Sequence, residues 1–326
     1  MTSTITAGPA TSRPQGEPPG PAPVRRRSSR WRKRAEIGLF AGPALLVYVG
    51  FVLVPVALAA VYSFFKWNGF GPLENFIGID NYVRALSDPV FRDSIAHNFF
   101  IVAMSLVIQG PIAIGVALLL HRKLPGRRIF RVLIFVPYVL AEVVVALAWR
   151  LILQPHGPFD AFLGAIGLGD LRQLWLADTS LVLWTLFAVL TWKYVGFAII
   201  LLLAGLQGIP EELDEAAQID GASWWQTQRH ITLPLLGPTI RIWAFLSIIG
   251  SLQQFDLVWV LTGGGPADAT STMATYMVQY GFQRSQLGFG SAVAVILFVI
   301  SLVFALIYQR FVLRRDLEGA LTRRVG

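Results

Sequence analysis

The sequence predicts an all-α, polytopic membrane protein of about six transmembrane helices, and three observations carry that expectation. Of 326 residues, 55% are hydrophobic and 14% are charged, whereas a soluble domain carries about 25% charged residues. Uncharged stretches long enough to cross a bilayer recur at fairly even spacing. The basic residues gather between those stretches rather than on one soluble face.

Residues 1–35 read as a disordered basic arm: the first part is rich in Pro, Gly, Ser and Thr and holds no apolar run, so it is not a signal peptide. Arg25, Arg26, Arg27, Arg30, Arg32, Lys33 and Arg34 directly precede the first apolar span and hold this end in the cytoplasm. A transmembrane domain is expected over 36–312, with spans at about 37–61, 97–120, 129–153, 181–206, 242–261 and 287–308. Residues 313–326 form a short tail. Pro43, Pro55, Pro111 and Pro137 fall inside spans and are expected to kink them without breaking them.

The charge distribution orients the chain. With both termini cytoplasmic, twenty Lys and Arg residues fall on the inner side and five on the outer: Lys66, Arg84, Arg92, Arg172 and Arg284. A net charge of +8 does not point to nucleic acid, because these residues flank apolar spans. With no cysteine, disulfides, thiolate metal sites and a cysteine nucleophile are excluded. His97, His121, His156 and His230 are scattered, and no metal cluster, catalytic triad or phosphate loop is apparent, so no enzymatic chemistry is assigned. A polytopic enzyme acting on a lipid-linked sugar needs carboxylates or histidines grouped near a helix end. A stand-alone secondary carrier needs more spans or an internal repeat, and none is visible.

The inner segment 207–240 is the most informative. It reads as two short helices joined by a turn. Pro210 suits a first helical position, and Glu211, Glu212 and Asp214 complement the positive end of the helix dipole. Gly221 suits a left-handed stop, Ser223 with Gln226 forms a capping box, and Pro234 ends the second helix. Leu213, Ala216, Ala217 and Asp220 follow helical spacing, so two small residues lie on one stripe where another protein could approach, with Glu215 beside it.

Glu215-Ala216-Ala217, then Gly221, then Ile231-Thr232-Leu233-Pro234 resemble, in motif, spacing and position, the EAA motif of the membrane subunits of binding-protein-dependent ABC importers. The resemblance implies that Glu215, Ala216, Ala217, Asp220, Gly221, Ile231, Leu233 and Pro234 couple this chain to an ATP-hydrolysing subunit. It also implies a bacterial cell membrane, a second homologous permease, two ATPase copies and an extracytoplasmic solute-binding protein. ATP and Mg would sit on the ATPase, with no cofactor on this chain. The stretches 75–82, Phe130-Arg131 to Val136-Pro137, and Phe255 to Pro266 with Thr270 are similar to the first permease of carbohydrate importers of the maltose and glycerol-3-phosphate type. Gly263-Gly264-Gly265-Pro266 then reads as a flexible outer turn near the binding-protein face.

A sugar route should offer amides, carboxylates and aromatic rings without a strong field of one sign. Polar and aromatic residues within the spans that meet this description are Gln109, Glu142, Trp192, Lys193, Tyr194, Gln253, Gln254, Asp256 and Trp259. For Glu142 and Lys193 a structural ion pair competes with that reading, and the tryptophans also suit interfacial positions. A phosphate-ester substrate would instead call for a cationic cavity, for which Lys193 alone is thin support.

Overall fold

A computed structural model describes residues 30–122 and 125–313. The chain divides into two units at Val54. The first contributes α1 (Arg30–Tyr48) and a π turn, Val49–Leu53. Residues 30–35, expected in the arm, are therefore helical, while the disorder expected of the preceding arm, and the tail after 313, lie outside the described residues.

The second unit is helical almost throughout. It comprises α2 (Val54–Tyr62), α3 (Asp80–Ser87), α4 (Pro89–Met104), a π turn at Ser105–Gln109, and α5 (Gly110–His121). Then come α6 (Arg127–Val139), α7 (Glu142–Ile152), α8 (Pro158–Ala165) and α9 (Val182–Leu206). Next are α10 (Glu211–Ile219), α11 (Trp224–Thr227), a π turn at Gln228–Thr232, and α12 (Leu233–Leu252). The series ends with α13 (Asp256–Leu261), α14 (Met273–Tyr276) and α15 (Leu287–Tyr308). Among the described residues, five helical stretches are long and apolar enough to cross a membrane: 38–62, 89–121, 182–206, 224–252 and 287–312. The pair α6 and α7 makes a sixth if it counts as one bent span.

Prolines explain much of this. A proline removes one amide donor and crowds the carbonyl four residues earlier. Here π turns immediately precede Pro55, Pro111 and Pro234, and the wider turn gives the ring room while the helix continues. Pro234 consequently does not end the second loop helix, as the sequence led us to expect. The helix runs on from Trp224 to Leu252 as one 29-residue stretch. The third expected span departs in the opposite sense. It does not merely kink at Pro137 but breaks, with Leu140 and Ala141 extended and α6 meeting α7 at 97°. The fifth expected span, 242–261, is also not one helix: it stops at Leu252 and restarts at Asp256.

The core centres on α9. Its sequence is apolar on every face, the pattern of a helix buried all round, and 56% of its most apolar window is buried, against 28% for α15. One cluster joins α9 to α5 and α12 through Ala113, Ala117, Leu202, Leu206, Leu236 and Trp243. A second joins it to α4, α7 and α13 through Ile101, Val145, Leu186, Leu190 and Val258. The third ties α4 and α12 to α14 and α15 through Phe91, Leu252, Tyr276 and Phe289. Close helix approach relies on small residues: a Cβ on Gly196 of α9 would strike the backbone oxygen of Ile134 in α6.

Short helices are set locally. Asp88 caps α4, its carboxylate accepting from the Val90 amide at 2.8 Å, with Pro89 in the first turn. The buried Asn81 donates to the carbonyls of Ser63 (2.8 Å) and Phe65 (3.1 Å), ordering the segment before α3.

Candidate functional site

Polar residues from five elements converge on one cavity of about 390 Å³. The π turn before Pro111 presents Ser105 and Gln109, the broken span presents Tyr138 and Glu142 from either side of its bend, and α9 adds Tyr194 and Phe197. Ser247 and Ser251 come from α12, the gap after it contributes Gln253 and Gln254, and Asp256 opens α13. Both helix breaks that the sequence analysis missed therefore open onto the same space. Unwound backbone at membrane depth is tolerated where it lines a cavity.

That gap is held by a residue the sequence analysis did not single out. Asn98 of α4, fully buried, donates from Nδ2 to the carbonyls of Ser251 (2.8 Å) and Leu252 (3.2 Å), and its Oδ1 accepts from the Met273 amide at 2.8 Å. It thus caps the end of α12 and ties it to α14. The Thr272 hydroxyl donates to the Gln254 carbonyl at 2.9 Å. Gln254 is 8% exposed, and its Nε2 is buried without a hydrogen-bond partner. An asparagine in an apolar run is itself the signal that could have found Asn98, because a buried amide must be bonded. Tyr138 lacked any such signal, since its place in the cavity depends on the unforeseen bend.

Of the expected path residues, Gln109, Glu142, Tyr194, Gln253, Gln254 and Asp256 line this cavity, while Lys193, Trp259 and Trp192 do not. Lys193 points behind the wall, where its Nζ donates to the carbonyls of Pro137 (3.0 Å), Tyr138 (2.8 Å) and Leu140. The structural pair considered for Lys193 and Glu142 is replaced by two separate contacts, Glu142 accepting from the Tyr194 hydroxyl. Trp259 stacks on Phe255 with ring centroids 5.6 Å apart, and Trp192 meets Trp149 edge-on at 5.4 Å. Among the described residues, no lysine, arginine or histidine lines the cavity.

The second candidate region is the 207–240 segment. Pro210 has extended backbone and precedes α10 instead of opening it. Gly221 adopts φ +79°, the left-handed conformation expected of it, and both halves of the capping box form, the Ser223 amide donating to Gln226 at 2.7 Å. The two alanines separate. Ala217 is buried and its carbonyl accepts from the Ala222 amide at 2.9 Å, whereas Ala216 is exposed beside Glu215. Asp220 and Pro234 are exposed, and Ile231 and Leu233 are half-buried. Asp220, Gly221, Gln226, His230 and Ile231 line a shallow cleft between α10 and the following helix. Ile219 and Trp225 project from this segment 86% and 74% exposed, and neighbouring large apolar side chains left in the open mark an interaction surface. On its other side the Arg122 guanidinium lies 4.5 Å from the Trp224 ring, a cation–π contact that fastens the segment to the end of α5.

The Gly263–Pro266 turn, expected to be flexible, is pinned. Gly263 and Gly264 take positive φ. The Thr270 hydroxyl donates to the Gly265 carbonyl at 2.9 Å, and the Thr270 amide donates to the Gly264 carbonyl at 2.9 Å. Beyond it the Tyr280 phenol donates to Asp268 at 2.9 Å. Partial burial and that bond push it above its ordinary pKa.

Comparison with known proteins places this architecture. Residues 109–316 match the family described as binding-protein-dependent transport system inner membrane component. The probable ABC transporter permease protein YurN of Bacillus subtilis is 34% identical over 276 residues, covering 84% of this chain and 94% of that protein. The trehalose/maltose transport system permease protein MalF of Thermococcus litoralis is 34% identical over 282 residues, 85% of this chain and 94% of its own length. A chain in the crystal structure of a bacterial ABC transporter that imports the acidic polysaccharide alginate shares the fold, with a TM-score of 0.76 at 24% identity, covering 87% of this chain and 98% of that one. A helical chain with several membrane-crossing helices, matched over most of its length in this way, belongs to the inner-membrane permease family of binding-protein-dependent ABC transport systems.

Proposed function

We propose that this chain is one of two permease subunits of an ATP-driven importer that moves a sugar or oligosaccharide, delivered by an extracytoplasmic binding protein, across a bacterial cell membrane. The second permease is a homologue of similar build. Two ATPase copies carry the ATP and Mg, and this chain carries neither. Both termini lie in the cytoplasm, as the excess of basic residues on that side supports. The α10 to α11 segment, with Glu215, Ala216, Gly221 and the exposed Ile219 and Trp225, is the seat for the ATPase.

The observation that carries the substrate reading is the wall of the cavity: amides, hydroxyls, aromatic rings and two carboxylates, with no basic side chain. Such a surface suits an uncharged, strongly hydrated, flat-faced molecule. It argues against glycerol 3-phosphate or another phosphate ester, for which a cationic cavity would be needed. The trehalose/maltose permease among the relatives supports the same class.

In transport, binding of ATP closes the ATPase dimer, the 207–240 segment carries the movement into the bundle, and the cavity opens to the binding protein. Hydrolysis resets it. The test is uptake of labelled neutral oligosaccharides and of glycerol 3-phosphate by cells carrying the wild type, Gln254→Ala or Asp256→Ala. The expected result is saccharide uptake whose half-saturation or maximal rate changes in the variants at unchanged assembly. Uptake of the phosphate ester alone, or identical saccharide kinetics in all three, would remove the assignment.

A further inference from the structure

A lysine at the centre of a membrane-embedded helix demands an explanation. Lys193 is 3% exposed on α9, and ionisable groups at such depth are costly unless paired or facing water. It has neither role here. All three of its N–H donors are used on main-chain carbonyls, those of Pro137, Tyr138 and Leu140. These carbonyls belong to the C-terminal end of α6 and to the extended residue that follows it. A helix leaves its last carbonyls without intrahelical partners and carries partial negative charge there. In hydrocarbon no water can make up the deficit. The ammonium does so, with a geometry that a point donor on a flexible stem can reach.

The next residue of α9 acts on the other side of the break. Tyr194 donates its hydroxyl to Glu142, the first residue of α7. Around them the fit is close: Gly196 admits the Ile134 backbone without room for a Cβ, and the Tyr138 ring stacks on Phe197 with centroids 4.9 Å apart. The two groups that the bend delivers to the cavity, Tyr138 and Glu142, are thus each fixed from α9.

We propose that Lys193 is a positioning residue: its ammonium clamps the end of α6 and makes the 97° break a fixed joint that sets Tyr138 and Glu142 on the cavity wall. The effect on transport rests on the sugar reading above; the joint itself does not.

The chain contains no cysteine, so single cysteines report position in the full-length protein assembled in membranes. Tyr138→Cys serves as the probe and Ser247→Cys, across the same cavity on α12, as the reference, each labelled with a small water-soluble maleimide. Placing Lys193→Met beneath them should change the labelling rate at 138 by about fivefold, the population shift given by one lost net hydrogen bond, with the rate at 247 unchanged. Without the probes, Lys193→Met should raise the half-saturating saccharide concentration by about tenfold, as small misplacements of binding groups do. Lys193→Gln, which keeps two donors, should fall between. General loosening of the bundle would raise labelling at both positions and overturn the proposal. So would Lys193→Gln matching the wild type at position 138, which decides the matter even if the Met variant fails to assemble. A shift at 138 with unchanged half-saturation would uphold the joint and count against the cavity as the saccharide site.

Discussion

Gly196→Ala tests how tightly the broken span is fitted to the central helix. A Cβ at this position would collide with the Ile134 backbone oxygen, and it would also lie 2.9 Å from the Ile134 carbonyl carbon and 3.2 Å from Phe135 Cα. All three atoms are main chain, so no side-chain rotation relieves the contact. The whole of α6 must move away from α9. Inserting one carbon into a well-packed core costs about 1–3 kcal/mol. Here the upper figure applies, because the displacement also stretches the bonds from Lys193 to the carbonyls one turn further on. About 3 kcal/mol corresponds to roughly two powers of ten in the folded population. Gly115→Ala is the control, since nothing lies within 4 Å of its added Cβ. It should be neutral or gain roughly 0.5–1 kcal/mol from helix propensity. Unfolding in mixed detergent, followed by circular dichroism, compares them directly. A Gly196→Ala protein as stable as the Gly115→Ala control would refute the close approach of α6 to α9 and the joint built on it.

Two further outcomes are expected. Asn98→Leu removes three hydrogen bonds and leaves the Leu252 and Ser251 carbonyls and the Met273 amide without their side-chain partner. It should cost about 3–5 kcal/mol in the same unfolding assay, and a loss below about 1 kcal/mol would show that the α12 end is held otherwise. Gly221→Asp sits in open space at φ +79°, so the backbone penalty is about 1–2 kcal/mol and insertion should be normal. The added charge beside Asp220 should nevertheless block uptake and release ATP hydrolysis from control, and normal uptake would count against coupling through this turn.

Much of the architecture was legible because apolar length and local punctuation report it directly. The last span, expected at 287–308, is α15 at Leu287–Tyr308, and the fourth begins one residue from its expected start. Gly221 and the Ser223–Gln226 box could be read because a left-handed stop and a capping box are properties of a few adjacent residues. The breaks could not. Leu140 and Ala141 are ordinary helix formers, and the ammonium that takes up the carbonyls beside them comes from Lys193 on another helix, far along the chain. Likewise Pro234 looked like a terminator because nothing local announces the π turn that accommodates it.

The cavity was legible in a similar, partial way. Gln109, Glu142, Tyr194, Gln253, Gln254 and Asp256 stood out as polar groups among apolar neighbours and do converge. Lys193 stood out for the same reason yet faces backbone. Polarity within a span announces a need for partners without saying whether solvent, solute or carbonyl supplies them.

The unbroken course of the helix from Trp224 to Leu252 has a mechanical consequence. At about 1.5 Å per residue it extends some 40 Å, from the cleft below Gly221 to Ser247 and Ser251 on the cavity wall. No loop intervenes along that length to absorb a push. Whatever tilts Trp225 must also tilt Ser251, so the rod acts as a tiller: one grip at the exposed Trp225, one blade on the cavity wall, with the π turn at Gln228–Thr232 and Pro238 as the points of give between them.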